Sequence, residues 1–172
     1  DVVRAMDVLL CLRNKGVGAA IDDYGTGFSS LAALARLPFN ELKIDQSFVR
    51  DMLEDPEDLA IVEGVIGLTQ AFKRKVIAEG VETVEHGLAL LLLGCDHAQG
   101  YGIARPMPAE SLPAWIQNFR CDDLWSLATS FNWSRDDLPM MIAEADHKRW
   151  VLAINKFIDT PNGTAPKPEL NH

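Results

Sequence analysis

The sequence predicts an α/β fold: a parallel sheet covered by helices, forming part of a (β/α)8-type barrel, followed by an all-helical segment. Short apolar runs alternate strictly with stretches of helical periodicity as far as about Ala104-Arg105-Pro106, which is the pattern of strand-helix-strand units. Each apolar run ends in a polar or ionisable residue, as barrel strands do at the rim where their C-terminal ends converge. Beyond about Asn118 no strand pattern recurs, and Trp125, Trp133 and Trp150 sit among helical repeats.

Val2, Val3, Met6, Leu9, Leu10 and Leu12 recur at helical spacing, and Lys15-Gly16 supplies a cationic last turn and a glycine stop. Val17 to Ile21 reads as a buried strand that breaks into Asp22 and Asp23, with Tyr24-Gly25-Thr26-Gly27 as a turn. Ser29 can cap a second helix running through Ala35, and Pro38 forbids its continuation. Leu42 and Ile44 mark a second strand, with Lys43 and Asp45 alternating into it, and Asp51 to Pro56 is a polar connection. A helix follows from about Glu57 to Phe72, then a strand at Val76-Ile77-Ala78 ending in Glu79-Gly80. A helix from Val84 to Leu93 and a strand at Ala98-Gln99-Gly100 complete the alternation. The apolar, unalternated strands and short loops fit a parallel sheet.

With 172 residues, 48% hydrophobic and 24% charged, the chain has the composition of an ordinary globular protein but falls short of a whole barrel. Its formal charge of -9 argues against binding a nucleic acid polymer through a basic surface, so a phosphate ligand must be held by metal ions or backbone groups. Cys11, Cys95 and Cys121 lack metal-type spacing and are expected to be buried free thiols of a reduced, cytoplasmic protein. The longest apolar stretch, Leu88 to Leu93, is too short to cross a bilayer. The first residues read as a helix interior without a start signal and His172 closes no element, so a piece of something longer is expected.

The strand ends bring Asp22, Asp23, Lys43, Asp45, Glu79 and Gln99 toward one rim. Carboxylates there suit hard cations such as Mg²⁺ or Mn²⁺, and two such ions can clamp a phosphodiester and generate hydroxide at neutral pH. Each residue also has a plainer reading. Asp-Asp before glycine is an ordinary turn signal, Lys43 can snorkel to solvent, and Gln99 and Tyr101 can satisfy backbone groups. Glu79 is harder to explain so, because an acid directly after Val-Ile-Ala needs a partner if buried. Gly25 and Gly27 can be turn residues or can let a phosphate approach the backbone.

The strings Ile21-Asp22-Asp23-Tyr24-Gly25-Thr26-Gly27-Phe28-Ser29-Ser30-Leu31, Leu42-Lys43-Ile44-Asp45, Ala78-Glu79-Gly80-Val81-Glu82-Thr83 and Gln99-Gly100-Tyr101 resemble, in order and spacing, the EAL-domain cyclic di-GMP phosphodiesterases over about residues 1 to 117. The resemblance implies a TIM-like barrel using two Mg²⁺ or Mn²⁺ ions to hydrolyse cyclic di-GMP to linear pGpG. It implies metal binding by Asp22 and Asp23, contact of Lys43 with the attacking water, and metal binding or general-base work by Glu79. Asp45, Glu82, Gln99, Tyr101 and Pro106 fall at supporting or substrate positions. The loop bearing Gly25, Thr26, Gly27 and Ser29 resembles a regulatory element that couples the metal site to dimer contacts, which implies a homodimer through the barrel.

The family's Glu-Ala-Leu strand and two further ligand-bearing strands do not occur in this sequence, so the chain is expected to be inactive alone. Residues 118–172 resemble the opening of the chemoreceptor zinc-binding (CZB) domain. His147 with Trp150 fits that domain's His-x-x-Trp motif, and His172 closes a Pro-Glu-Leu-Asn-His string, making the two histidines candidate Zn²⁺ ligands. A cyclic di-GMP receptor without hydrolysis and a zinc-responsive interaction module are the competing readings.

Overall fold

A computed structural model describes residues 2–25, 27, 31–130, 133 and 135–158. The sheet contains β1 (Ala20–Tyr24), β2 (Glu41–Ile44), β3 (Lys75–Glu79) and β4 (Ala98–Gln99), in the order β1-β2-β3-β4 and parallel throughout. Among them run α1 (Val2–Asn14), α2 (Leu31–Arg36), α3 (Gln46–Asp51), α4 (Pro56–Ala71) and α5 (Val84–Leu92). After β4 follow α6 (Leu112–Asn118), α7 (Asp123–Ser130) and α8 (Leu138–Ile158). This is the α/β, partial-barrel architecture with C-terminal helices that the alternation predicts.

The elements have local causes. Gly16 adopts φ 78° where α1 stops, a conformation that costs glycine nothing. Asp55 accepts from the Glu57 amide at 2.8 Å and Pro56 opens α4, while Thr83 Oγ1 accepts from the His86 amide at 3.2 Å to cap α5. Leu42 and Ile44 of β2, and Val76 and Ala78 of β3, alternate inward and are buried with Val49, Met52, Val62, Ile66 and Leu90. The intervening Glu41, Lys43, Ile77 and Glu79 point to the opposite face, which is half-exposed or exposed in all four strands.

Several expectations need correction. The first strand starts at Ala20 rather than Val17: ladder pairing begins at Ala20 with Glu41, and Val17 lies outside it, 49% exposed. Nor is that strand buried: among the described residues β1 pairs only with β2, at the edge of the sheet. A short helix, α3, fills the stretch between β2 and the polar connection at Asp51 to Pro56, to which the sequence pattern assigns no element, because Asp45 accepts from the Ser47 amide at 2.8 Å and so starts a helix directly after β2. Of the three cysteines only Cys95 is buried, its thiol 3.3 Å from the His97 carbonyl; Cys11 and Cys121 are exposed. Burial pushes the Cys95 thiol up from its ordinary value and keeps it protonated and inert.

Helices α7 and α8 lie on α5, Leu138 joins the main core, and Leu88, Ala128 and Met141 form a second cluster with Trp125 and Trp133. No described helix is long and apolar enough to cross a membrane.

Candidate functional site

The acids meet because β1 does not run regularly. Ile21 pairs with Leu42 and Tyr24 with Ile44, so Asp22 and Asp23 together face the single residue Lys43. That is a bulge, and Asp23 takes φ 49° to make it, a left-handed conformation that Asp tolerates better than most side chains. In a regular strand two neighbouring residues point to opposite faces. Here a carboxylate oxygen from each of Asp22, Asp23 and Glu79 lies within 4.8 Å of the others, the one such acidic group among the described residues.

Lys43 bridges two of these three acids. Its Nζ donates to Asp22 Oδ1 at 2.9 Å and is ion-paired with Glu79 Oε1. Glu79 and then Asp22, as hydrogen-bonding carboxylates, push the Lys43 ammonium above its ordinary value, so it is held charged. Glu79, whose side chain is 15% exposed, pairs across the sheet with Gln99 and accepts from Gln99 Nε2 at 2.8 Å. The acid after Val-Ile-Ala therefore has two partners, as burial requires.

A cleft of about 520 Å³ opens beside Glu79, lined by Gln46, Glu82, Gln99, Tyr101, Arg105 and Pro106 among others. Tyr101 is 57% exposed and the Arg105 guanidinium sits 4.5 Å from its ring centroid, a planar cationic stack suited to a base or a phosphate. Arg105 and Gln46 were not singled out by sequence reasoning. Arg105 has the signal of a cation one residue before Pro106 in the strand-end loop, whereas Gln46 reaches the cleft only because α3 starts there.

Two further residues have structural work. The Asp45 carboxylate accepts from the Ser47 amide and, at 2.5 Å, from the Ser47 hydroxyl, and these hydrogen bonds hold it below its ordinary range, with Arg50 and Asp23 adding smaller contributions. Gly25, at φ 115°, lies against the Phe48 ring, where a Cβ would come within 2.4 Å of a ring carbon. Gly27 is exposed, and Thr26 and Ser29 lie outside the described residues. His147 is exposed on α8 and joins no group of candidate metal ligands among the described residues; His172 lies outside them.

His86, which the sequence reading passed over, is 6% exposed and links the loop to the core: its Nδ1 faces the Glu82 amide at 3.4 Å and its Nε2 the Arg50 carbonyl at 3.1 Å. Burial lowers its pKa from the ordinary 6.5, although the Arg50 carbonyl, Glu82, Glu85 and Asp51 oppose the shift. The folded protein thus keeps His86 neutral where the unfolded chain takes up a proton. Its contribution is fully present above the unfolded value and is lost as pH falls through the folded one. Thermal melts between about pH 7 and about pH 5 should therefore show falling Tm, and a smaller fall in His86→Gln. Equal slopes in the two proteins would refute this.

Comparison with known proteins agrees with the geometry. Residues 3–106 match the EAL domain family. The chain is 46% identical over 116 residues to the bifunctional diguanylate cyclase/cyclic di-GMP phosphodiesterase MucR of Pseudomonas aeruginosa, covering 67% of this chain and 17% of MucR. It is 45% identical over 107 residues to the oxygen sensor protein DosP of Escherichia coli, covering 62% of this chain and 13% of that protein. Among solved structures, the EAL domain of Mycobacterium smegmatis DcpA superposes with a TM-score of 0.65 at 42% identity, covering 71% of this chain and 55% of that one. The PaMucR phosphodiesterase in complex with c-di-GMP superposes with a TM-score of 0.63 at 46% identity, covering 65% and 45%. The chain thus spans a small part of the curated relatives and about half of the solved domains, and within that span the acids, the lysine and the glycine turns stand on a shared fold. It belongs to the EAL-domain family.

Proposed function

We propose that this chain supplies part of a divalent-metal phosphodiesterase site that hydrolyses cyclic di-GMP to linear pGpG in second-messenger signalling. The observation that carries the reading is the convergence of Asp22, Asp23 and Glu79, two of which pair with Lys43. The three acids offer hard oxygen donors, the set that fits Mg²⁺ or Mn²⁺. When bound, such ions neutralise phosphate charge and make hydroxide accessible at neutral pH. Lys43, held charged, orients the attacking water, and Glu79 holds metal or receives the water's proton. The Tyr101–Arg105 stack, with Glu82, Gln99 and Pro106, holds the nucleotide in the cleft beside Glu79. Water adds across one phosphodiester linkage: the bond from phosphorus to the ribose 3′-oxygen breaks, that oxygen leaves protonated, and the phosphate stays on the 5′-oxygen of pGpG.

Retention of both the acids and the lysine favours catalysis over a receptor that only binds the dinucleotide. Residues 1–117 form the catalytic part and 118–172 a C-terminal extension whose described helices pack on α5, with the regulatory loop at Gly25 to Ser29 and dimerisation through a complete barrel. The free cysteines fit a reducing, cytoplasmic setting. Zinc binding by a CZB-like unit would need partners beyond His147 and His172, since a structural zinc takes four ligands; zinc content of a protein running past His172 tests it.

The decisive experiment is chromatography of cyclic di-GMP incubated with this chain and with a longer protein carrying the preceding barrel strands, with Mg²⁺ or Mn²⁺ and with a chelator. We expect metal-dependent pGpG from the longer protein alone. Binding by the longer protein without hydrolysis would establish the receptor reading instead.

A further inference from the structure

We propose that Arg149 and Trp125, on helices beyond the stretch that matches the EAL family, are positioning residues for the Glu79–Glu82 segment and act on it through the first turn of α5. The proposal rests on the metal-site reading above and adds to it a role for α7 and α8.

Helix α5 starts at Val84, directly behind Glu82 and its cap Thr83. A shift of its first turn therefore displaces the segment that carries the site's carboxylates. The barrel packs closely against that segment. Gly80 lies against Gln46, where a Cβ would come within 2.6 Å of the Gln46 Cβ, and Gly100 and Gly102 lie against the backbone of Val81 and Glu82. His86 ties the Glu82 amide to α3 through the Arg50 carbonyl.

The outer side depends on α7 and α8. Arg149 Nη2 reaches Glu85 Oε1 at 3.0 Å, and the Glu85 side chain is 9% exposed, so Arg149 is the cation that accompanies a nearly buried charge. Asp146, one turn before on α8, is ion-paired with Arg149 and holds its guanidinium on that side. Trp125 Nε1 donates to the Val84 carbonyl at 2.8 Å, and its ring fills the space over Gly87, where a Cβ would come within 2.5 Å. Without Arg149 the Glu85 carboxylate keeps its desolvation cost and loses its partner, which favours movement of the first turn of α5 toward water. Glu82 and Glu79 would follow through the short connection.

The test uses this chain and two readouts: Mn²⁺ binding by electron paramagnetic resonance, and hydrogen exchange of the amides from Val81 to Val84. In Arg149→Met, measured well below its Tm, we expect several-fold weaker Mn²⁺ binding and faster exchange in that stretch, with Arg149→Lys restoring most of both. Trp125→Phe, which removes the indole N–H donor and leaves a gap over Gly87, should weaken binding in the same direction. Wild-type affinity and exchange in Arg149→Met would overturn the proposal, as would a loss of Mn²⁺ binding that only tracks global unfolding. If neither this chain nor the longer protein carrying the preceding strands binds Mn²⁺ while Arg149→Met still speeds local exchange, the metal-site reading falls and the brace stands.

Discussion

Asp22→Asn in a protein carrying the complete barrel is expected to lower hydrolysis of cyclic di-GMP on the order of 10³-fold or more, with little change in Tm. The substitution keeps the shape of the side chain and removes an anionic donor from the cluster with Asp23 and Glu79. It also weakens the bond that holds Lys43, which donates to Asp22 Oδ1, so the ammonium would be drawn toward Glu79 alone. The fold has little at stake, because the Asp22 side chain is 64% exposed and exposed substitutions usually stay within about 0.5 kcal/mol. Glu79→Gln should match the loss in turnover while disturbing Gln99, whose amide it accepts from. Initial rates across a Mn²⁺ titration provide the check. Turnover retained in either variant would remove these residues from the roles assigned to them.

Gly100→Ala should cost the fold about 2 to 4 kcal/mol and weaken metal binding as well. A Cβ at Gly100 would stand 2.1 Å from the Val81 carbonyl oxygen and 2.3 Å from the Val81 nitrogen. These are backbone atoms, which cannot rotate aside as a flexible side chain would. Relief requires moving the strand-end segment, and that breaks the bonds from the Gly102 amide to the Val81 carbonyl at 2.8 Å and from the Val81 amide to the Gln99 carbonyl at 3.1 Å. Gly64→Ala in α4 is the control: a Cβ there meets nothing within 4 Å, so the helix should gain about 0.5–1 kcal/mol. Urea melts of both variants, with Mn²⁺ affinity measured alongside, distinguish the cases. A Gly100→Ala protein as stable as the parent would show that the segment yields without cost.

The sequence was most informative where a local pattern and a buried environment agree. The runs around Leu42, Val76 and Ala98 and the helices after Pro56 and Thr83 were legible because apolar residues and capping groups dictate them over a few positions. Less was legible at the edges. Val17 is as apolar as a strand residue but has no ladder partner, and Asp45 starts a helix that no apolar period announces. Burial of Cys95 and exposure of Cys11 and Cys121 depend on which faces the helices cover, which composition does not encode.

Residue type and order alone therefore determined the alternating α/β chain and the acids and lysine at its strand ends. Tertiary structure decided how those groups face one another. Asp22 and Asp23 are adjacent, and strand geometry would send them to opposite faces; the bulge opposite Lys43 and the left-handed φ at Asp23 bring both to Glu79. Tertiary packing likewise placed α7 and α8 against the first turn of α5. Both are decided by contacts between residues distant along the chain, and the local periodicities that specify strands and helices carry no information about them.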